Sequence, residues 1–125
     1  MKEDILKKLL SYQLPTGLLD FFELVSVEQN DDKLILHLDE LNRKPEEHKD
    51  LNLESKGFLP SVTLEDFPIR EHTVYLKVRR RKWIDKSTGK TYQNSFNLTA
   101  QGTSYTKEFG DFLKEVVRYH AGKHK

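Results

Sequence analysis

A run of alternating residues at positions 73–84 constrains the fold more than any other feature of this sequence. Apolar side chains fall on every second position at its start, namely Val74, Leu76 and Val78. Because successive side chains of a β-strand point to opposite faces, this spacing predicts one long strand. Residues 85–90 have the composition of a turn, and residues 92–100 alternate again. We therefore predict an antiparallel β-hairpin over residues 73–100.

The rest of the chain predicts helices at both ends and one further hairpin. Apolar residues at helical spacing predict a short helix over residues 3–13 and a longer one over residues 105–121, which we expect Gly122 to end. Residues 21–39 alternate around an Asn-Asp turn and predict a first hairpin, whereas residues 41–57 are polar and predict a loop. The expected fold class is α+β: two antiparallel β-hairpins form a small sheet or degenerate ribbon, with a short N-terminal and a longer C-terminal helix.

We expect residues 1–125 to form a single domain. A chain of 125 residues buries roughly two-thirds of its unfolded surface, which is enough for one ordinary core. Its hydrophobic fraction is low, at 36%, but one Trp, five Tyr and seven Phe supply bulky core material. Within the domain we distinguish a helix with an acidic hairpin (1–40), a loop (41–57) and a basic ribbon-like hairpin with the C-terminal helix (58–122).

Composition excludes several classes of protein. The chain has no Cys, which removes disulfides, thiolate zinc sites and cysteine nucleophiles. It opens with charged residues and holds no run near the roughly 20 apolar residues that a membrane span needs. We therefore expect a cytoplasmic protein with no membrane contact, no metal, no cofactor and no small-molecule substrate.

The formal net charge of +1 conceals two halves of opposite sign. Residues 1–70 carry 9 Lys and Arg against 15 Asp and Glu, a net of −6. Residues 71–125 carry 12 against 5, a net of +7. An asymmetry of this size is typical of proteins that contact nucleic acid or a membrane surface.

Seven cations in the predicted second hairpin form the main candidate site. They are Lys77, Arg79, Arg80, Arg81, Lys82, Lys86 and Lys90. Like charges on adjacent strands repel one another, and an anionic partner relieves that cost. The aromatic residues Tyr75, Trp83 and Tyr92 lie among them and offer ring faces for bases or guanidinium groups. These residues indicate a β-ribbon laid on nucleic acid, with arginines free for bidentate contacts to bases. The alternative is an exposed hairpin that charge keeps soluble, with Trp83 packed on a neighbouring element.

The C-terminal helix contributes a second set of candidate phosphate contacts. Lys107, Lys114 and Arg118 share one face at spacings of seven and four. Acidic residues are interspersed with them, so salt bridges along the helix account for them nearly as well. His120 and His124 have the spacing of a helical metal pair, but Gly122 separates them and no third ligand is near, so we expect no metal.

Catalysis has little support in the sequence. The acidic pairs Asp31-Asp32 and Glu46-Glu47 fall in predicted loops, where solvated carboxylates are normal, and nothing marks a pocket. The run from Ser87 to Lys90 lacks the rest of the phosphate-binding loop pattern and lies between strands. We expect no enzymatic activity and no catalytic residues.

The chain resembles the N-terminal region of certain bacterial insertion-sequence transposases, often encoded by a short reading frame ahead of the catalytic one. The runs that carry the resemblance are LPTGLLDFFELV at 14–25, LESKGFLP at 53–60, LEDFPIR at 64–70, VYLKVRRRKW at 74–83, LTAQGT at 98–103 and TKEF at 106–109. In related transposases the equivalent segment is a zinc ribbon with paired cysteines. This chain has none, so the resemblance implies a ribbon held by aromatic packing, for which we expect Phe58, Phe67, Trp83 and Phe96.

The resemblance implies a non-catalytic module that recognises the terminal inverted repeats of the element and positions a separate catalytic chain. Double-stranded DNA is then the expected partner, and the transposase catalytic subunit a possible second one. Two alternatives stay open at this point. In the first alternative, the chain is a protein-interaction module that docks the catalytic chain through residues 1–40. In the second, it is a single-strand binder that stacks bases on its aromatic residues.

Overall fold

Three helices and seven strands make up the part of the chain that the computed structural model describes, residues 2–100 and 103–123. The helices are Lys2–Gln13 (α1), Leu18–Phe21 (α2) and Lys107–Lys123 (α3). The strands are Phe22–Asn30 (β1), Lys33–Glu40 (β2), Leu53–Phe58 (β3), Val62–Ile69 (β4), His72–Arg79 (β5), Arg81–Asp85 (β6) and Thr91–Tyr92 (β7). The fold class is α+β, as the sequence predicts.

The strands form two sheets. The four-stranded sheet has the order β1-β2-β5-β4, in which β2 and β5 run parallel and the other two pairs antiparallel. The three-stranded sheet has the order β3-β6-β7 and is antiparallel. A parallel neighbour needs a crossover connection, and the segment that carries β3 and β4 supplies it between β2 and β5. The chain then passes directly from the four-stranded sheet into the three-stranded one.

The main core covers one face of the four-stranded sheet. Leu36 and Leu38 of β2 and the predicted apolar positions of β5 are buried on this face. The segment from Leu14 to Phe22, which includes α2, packs over them. The opposite face, which carries His37 and Lys77, faces outward. The sequence alternation in β2 and β5 thus predicts the buried face correctly.

The first hairpin is confirmed. Asn30 pairs with Lys33, which leaves Asp31 and Asp32 as a two-residue turn. Asp31 has a φ of 58°, a left-handed conformation that Asn and Asp tolerate better than most residues. The pairing continues to Phe22 opposite Glu40, interrupted by a bulge at Val25. The hairpin therefore spans residues 22–40, close to the predicted bounds.

The predicted hairpin over residues 73–100 is wrong in its pairing. The strand divides at Arg80, whose carbonyl oxygen accepts a hydrogen bond from the Leu59 amide at 2.8 Å. The antiparallel partner of β5 is β4, and only β7 returns beside β6. The alternating residues 62–69 place Leu64 in the core beside β5. The apolar side chain of Phe96 instead packs directly on the core, with its ring 4.9 Å from that of Phe22, and residues 93–98 form no strand.

The predicted loop over residues 41–57 contains ordered elements. Glu46–His48 forms one 3-10 turn, and β3 begins at Leu53. Leu53 is buried and pairs with Asp85 of β6. The prediction fails because β3 has the sequence LESKGF, which holds too few apolar residues to show the helical or the strand period. Pairing with β6, rather than its own composition, keeps this segment extended.

Helix α3 is fixed to β4 at its N-terminus, and both of its ends lie two residues later than predicted. The buried Thr106 hydroxyl donates a hydrogen bond to Asp66 Oδ1 at 2.8 Å. Burial raises the pKa of the Asp66 carboxyl above its usual value, because the charged form loses its hydration. A Cβ at Gly110 would lie 2.4 Å from Ala100 Cβ, so this helix position accepts only glycine without a shift. The helix continues to Lys123, so Gly122 does not end it; His124 lies outside the described residues.

Candidate nucleic-acid interface

Arg79 of the candidate site is engaged in an ion pair inside the protein. Its Nε and Nη2 atoms donate to the two carboxylate oxygens of Asp39, each at 2.7 Å. The guanidinium group holds the pKa of the Asp39 carboxyl below its usual value, and the same hydrogen bonds raise the pKa of Arg79. The two parallel hydrogen bonds fix the orientation of the Arg79 guanidinium group. Arg79 is therefore not free for the bidentate base contact that the sequence predicts.

Arg81 is also held by protein groups, through hydrogen bonds to uncharged oxygens rather than an ion pair. Its Nε donates to the Glu40 carbonyl oxygen at 2.8 Å, and its Nη1 donates to Ser55 Oγ at 2.9 Å. The guanidinium carbons of Arg79 and Arg81 lie 4.1 and 4.8 Å from the centroid of the Phe58 ring. Both distances are within the range of a cation–π interaction. The two arginines thus join the four-stranded sheet to the three-stranded sheet.

The prediction that Trp83 belongs to the contact surface is wrong. The side chain is 2% exposed, so neither ring face is available to a base. The prediction extends one strand through Arg80, but β5 ends at Arg79 and the chain enters another sheet at Arg81, where the side of the strand that carries Trp83 faces inward. Its Nε1 atom has no hydrogen-bond partner within the described residues. Tyr92 pairs with Trp83 across the sheet and packs against the His48 ring at 4.7 Å, so one of its faces is covered.

The four aromatic residues expected to hold a zinc-free ribbon do not form one cluster. Phe58 lies under the two arginines, and Phe67 packs 5.0 and 5.4 Å from rings of α3. Phe96 packs on Phe22 in the main core. Trp83 lies in the three-stranded sheet. The prediction of a common aromatic core for this segment is therefore wrong.

Lysines form the cationic surface of the three-stranded sheet. Trp83 and Asp85 point inward, so Lys82 and Ile84 between them point to the outer face. Glu54 pairs with Ile84 and shares this face, and Lys56 follows Glu54 at strand spacing in a bulge of β3. We define the lysine face as Lys82 and Lys86, together with two neighbouring exposed lysines, Lys56 in the bulge of β3 and Lys90 at the end of the turn that follows β6.

The turn between β6 and β7 holds Lys86 and Lys90 in place. Asp85 Oδ1 accepts a hydrogen bond from the Ser87 amide at 2.8 Å, and the Asp85 amide donates to the Lys90 carbonyl oxygen at 2.9 Å. Gly89 has a φ of 77°, which favours glycine at this turn position. Lys86 Nζ lies 3.8 Å from Glu54 Oε2, with both side chains about half exposed. A pair of this kind contributes about 0–1 kcal/mol, so Lys86 can exchange it for another anion.

The remaining candidate cations lie elsewhere. Lys77 lies on the outer face of the four-stranded sheet, opposite His37 and Thr63. Arg80 borders a cavity of about 210 Å³ that also contacts Phe96 and Leu98 of the core edge. Neither cation makes an ion pair with the residues that the structure describes. Of the seven predicted cations, the structure thus brings Lys82 and Lys86 to the outer face of the three-stranded sheet, with Lys90 exposed at the end of the adjoining turn.

The cations of α3 belong to another part of the molecule. Lys107 and Lys114 are exposed on this helix, which packs against β4 of the four-stranded sheet. Arg118 Nη1 lies 2.9 Å from Glu115 Oε1, as the salt-bridge alternative predicts. Sequence reasoning missed Lys56, whose only signal is its position two residues after Glu54 in a strand that the sequence does not reveal.

The lysine face suits the recognition of phosphate groups. An ammonium group acts as a point charge with three rotatable donors, so it binds a phosphate without demanding a fixed geometry, whereas the planar donors of arginine favour oriented bidentate contacts. The hydroxyl-bearing residues Ser87, Thr88 and Thr91 lie next to these lysines in the turn and in β7. Among residues 2–100 and 103–123, no three His, Asp or Glu side chains come together as a metal site requires.

No helix within the described ranges has the length and apolar character needed to cross a membrane. Comparison of the chain with protein-family models, with curated proteins and with solved structures found no match.

Proposed function

We propose that this chain is a non-catalytic DNA-binding module of a transposase, which recognises the ends of the mobile element. The observation that carries the proposal is the lysine face, where Lys82 and Lys86 lie on the same side of the sheet as Glu54 and the exposed Lys56 and Lys90 lie close to them in the chain fold. Like charges so arranged cost folding free energy, and duplex phosphates would relieve that cost by displacing their own counterions. The resemblance of the sequence to transposase N-terminal regions supplies the biological setting.

The proposed contact is made mainly to the DNA backbone. With Arg79 and Arg81 held by protein groups, the lysines bind phosphates and fix the position of the ribbon. Discrimination between sequences then falls to the hydroxyl groups of Ser87, Thr88 and Thr91, which accept and donate to either base edge, and to the shape of the groove.

Fluorescence anisotropy with labelled duplexes tests this function. If about four cations bind phosphates, the log-log salt slope of the association constant should be about −3.6. The triple variant Lys82→Ala, Lys86→Ala and Lys90→Ala should lose most of the affinity and of the slope. The matched control is Lys107→Ala with Lys114→Ala on α3, which should leave both unchanged.

Two outcomes would contradict the proposal. Equal binding of the terminal repeat and of a scrambled duplex would remove the recognition of element ends and leave only binding to the DNA backbone. An unchanged affinity in the triple variant, with native circular dichroism, would remove the lysine face as the contact. A DNA preference for single strands is disfavoured by the burial of Trp83 and the packing of Tyr92.

A protein-interaction module remains the second candidate. The exposed leucines of α1 favour it, because Leu6 and Leu9 are more than half exposed. Under this function, the chain co-purifies with a transposase catalytic chain, and Leu6→Glu with Leu9→Glu abolishes the co-purification while Lys82→Ala does not.

A further inference from the structure

Helix α1 exposes most of its apolar side chains. Ile5, Leu6, Leu9 and Tyr12 are 68, 63, 60 and 77% exposed, and Leu10 packs against the main core. A helix of 12 residues is only marginally stable in water without tertiary contacts, because nucleation costs more than the few hydrogen bonds return. The fold therefore leaves α1 with an apolar surface that another surface would stabilise by covering it.

An open groove runs between α1 and the start of β1. Its volume is about 400 Å³. Its apolar lining consists of Leu6, Leu10, Leu19, Phe22, Leu24 and Leu41. Lys7 and Glu23 are the charged residues of the lining, and neither makes an ion pair with any residue that the structure describes. An apolar groove with an acidic residue on its β1 wall fits a helix that presents leucines beside lysines.

We propose that a second copy of this chain fills the groove with its own α1, so that two copies form a two-fold symmetric dimer. The α1 helix has the required pattern, with Leu6 and Leu9 next to Lys7 and Lys8. On the β1 side of the groove, the charged residue of the lining is Glu23. The lysines of the incoming helix are placed against Glu23 on the β1 side and away from Lys7 of the receiving chain, which favours one orientation of the helix.

In a two-fold symmetric dimer, the exposed side chains of α1 and the groove beside it are both buried. In an isologous contact, each copy contributes the same surface, so α1 of one copy enters the groove of the other and the reverse contact forms by symmetry. The exposed helix and the open groove are adjacent on the same protein, which such a contact requires. A second copy therefore covers the leucines and the groove lining in both chains without any other partner.

Sedimentation equilibrium of the isolated protein, without DNA, tests the dimer. The expected mass is twice 14.7 kDa over the micromolar range. Leu6→Glu with Leu9→Glu should give a monomer with unchanged circular dichroism in the sheet region, because both side chains are exposed in the single chain. The matched control is Val117→Glu, an apolar residue of α3 that is 67% exposed; it should remain a dimer.

A charge exchange tests the orientation of the helix. Lys7→Glu with Lys8→Glu should weaken self-association at least about tenfold, and Glu23→Lys should do the same, because each places like charges together. Mixing the two variants should restore a heterodimer, since both of its contacts then join opposite charges. A monomeric wild-type protein, or a dimer that survives Leu6→Glu with Leu9→Glu, overturns the proposal. DNA binding by such a monomer would leave the proposed function standing.

Discussion

Replacing Arg79 by alanine distinguishes a structural arginine from a DNA-contacting one. The substitution removes two hydrogen bonds of 2.7 Å and leaves the Asp39 carboxylate without its partner. The Asp39 side chain is 13% exposed and that of Arg79 is 47% exposed, so water replaces the lost contact only in part. The variant also loses the Arg79 contact with the Phe58 ring.

The expected loss of stability is intermediate between those of exposed and buried ion pairs. Exposed pairs contribute about 0.2–1 kcal/mol, whereas removing one partner of a buried pair costs about 3–5 kcal/mol. Half exposure of the arginine places Arg79→Ala at about 2 kcal/mol, to which the ring contact adds about 0.5 kcal/mol. For a domain of this size the melting temperature should fall by roughly 8–10 °C.

The cost of Arg79→Ala should depend on pH in a defined direction. The pKa of the folded Asp39 carboxyl lies below the ordinary value of 3.8. The folded state therefore binds this proton more weakly than the unfolded chain does. The stabilisation is present above pH 3.8 and is lost as the pH falls through the folded pKa. The difference between wild type and variant should be largest near neutral pH and should shrink in acid.

Urea unfolding, followed by the fluorescence of the buried Trp83, measures the stability, and duplex anisotropy measures the DNA affinity. Arg79→Ala should lower the free energy of unfolding and leave the affinity of the folded protein within about twofold. Lys82→Ala is the converse control: it should change stability by less than about 0.5 kcal/mol and weaken binding. A folded Arg79→Ala variant that loses more DNA affinity than Lys82→Ala would refute this assignment of the two residues.

Three further substitutions test other parts of the fold. Glu40→Ala should cost about 2–4 kcal/mol in urea unfolding, because the buried carboxylate accepts hydrogen bonds from the Arg81 amide at 2.9 Å and from Asn94 at 2.7 Å. Gly110→Ala should cost about 1–3 kcal/mol through overpacking, and Ala100→Gly in the same chain should restore the thermal midpoint. For Asp66→Asn, the wild-type carboxyl has a raised pKa, so the folded state binds its proton more tightly and loses stability as the pH rises above 3.8. The variant should therefore gain stability relative to wild type from acid to neutral pH, and unfolding across that range measures it.

Local patterns predicted the parts of this fold that local interactions determine. The Asn-Asp turn and the alternation beside it located the first hairpin, and the helical spacing of residues 3–13 located α1. The alternation in β5 identified its buried side chains. For β2 and β5 the sequence period corresponds to a face that packs on the core, and for the first hairpin the Asn-Asp run corresponds to a turn of fixed geometry. In α1 the helical period located the helix, although most of its apolar side chains are exposed.

The remainder depends on contacts between residues distant in sequence. The apolar alternation of residues 73–84 stops at Val78 and is followed by four cations, residues 79–82. Such a run fits an exposed continuation of the same strand as well as a change of sheet, so the sequence does not predict the change at Arg80. That change explains why Trp83 is buried although it lies among cations. Likewise, the pairing of Asp39 with Arg79 joins residues 40 positions apart, and no local pattern distinguishes a paired arginine from a free one.

The opposite charges of the two halves of the chain also have a structural use. Asp39 and Glu40, at the end of β2 in the acidic half, accept hydrogen bonds from Arg79 and Arg81 in the basic half. Part of the charge asymmetry is thus neutralised inside the fold, where it joins the two sheets. What the fold leaves at the surface of the three-stranded sheet is lysine rather than arginine. A cation count alone therefore overstates the capacity of this chain to read bases, and the proposed DNA contact depends on phosphates and on the hydroxyl groups beside the lysine face.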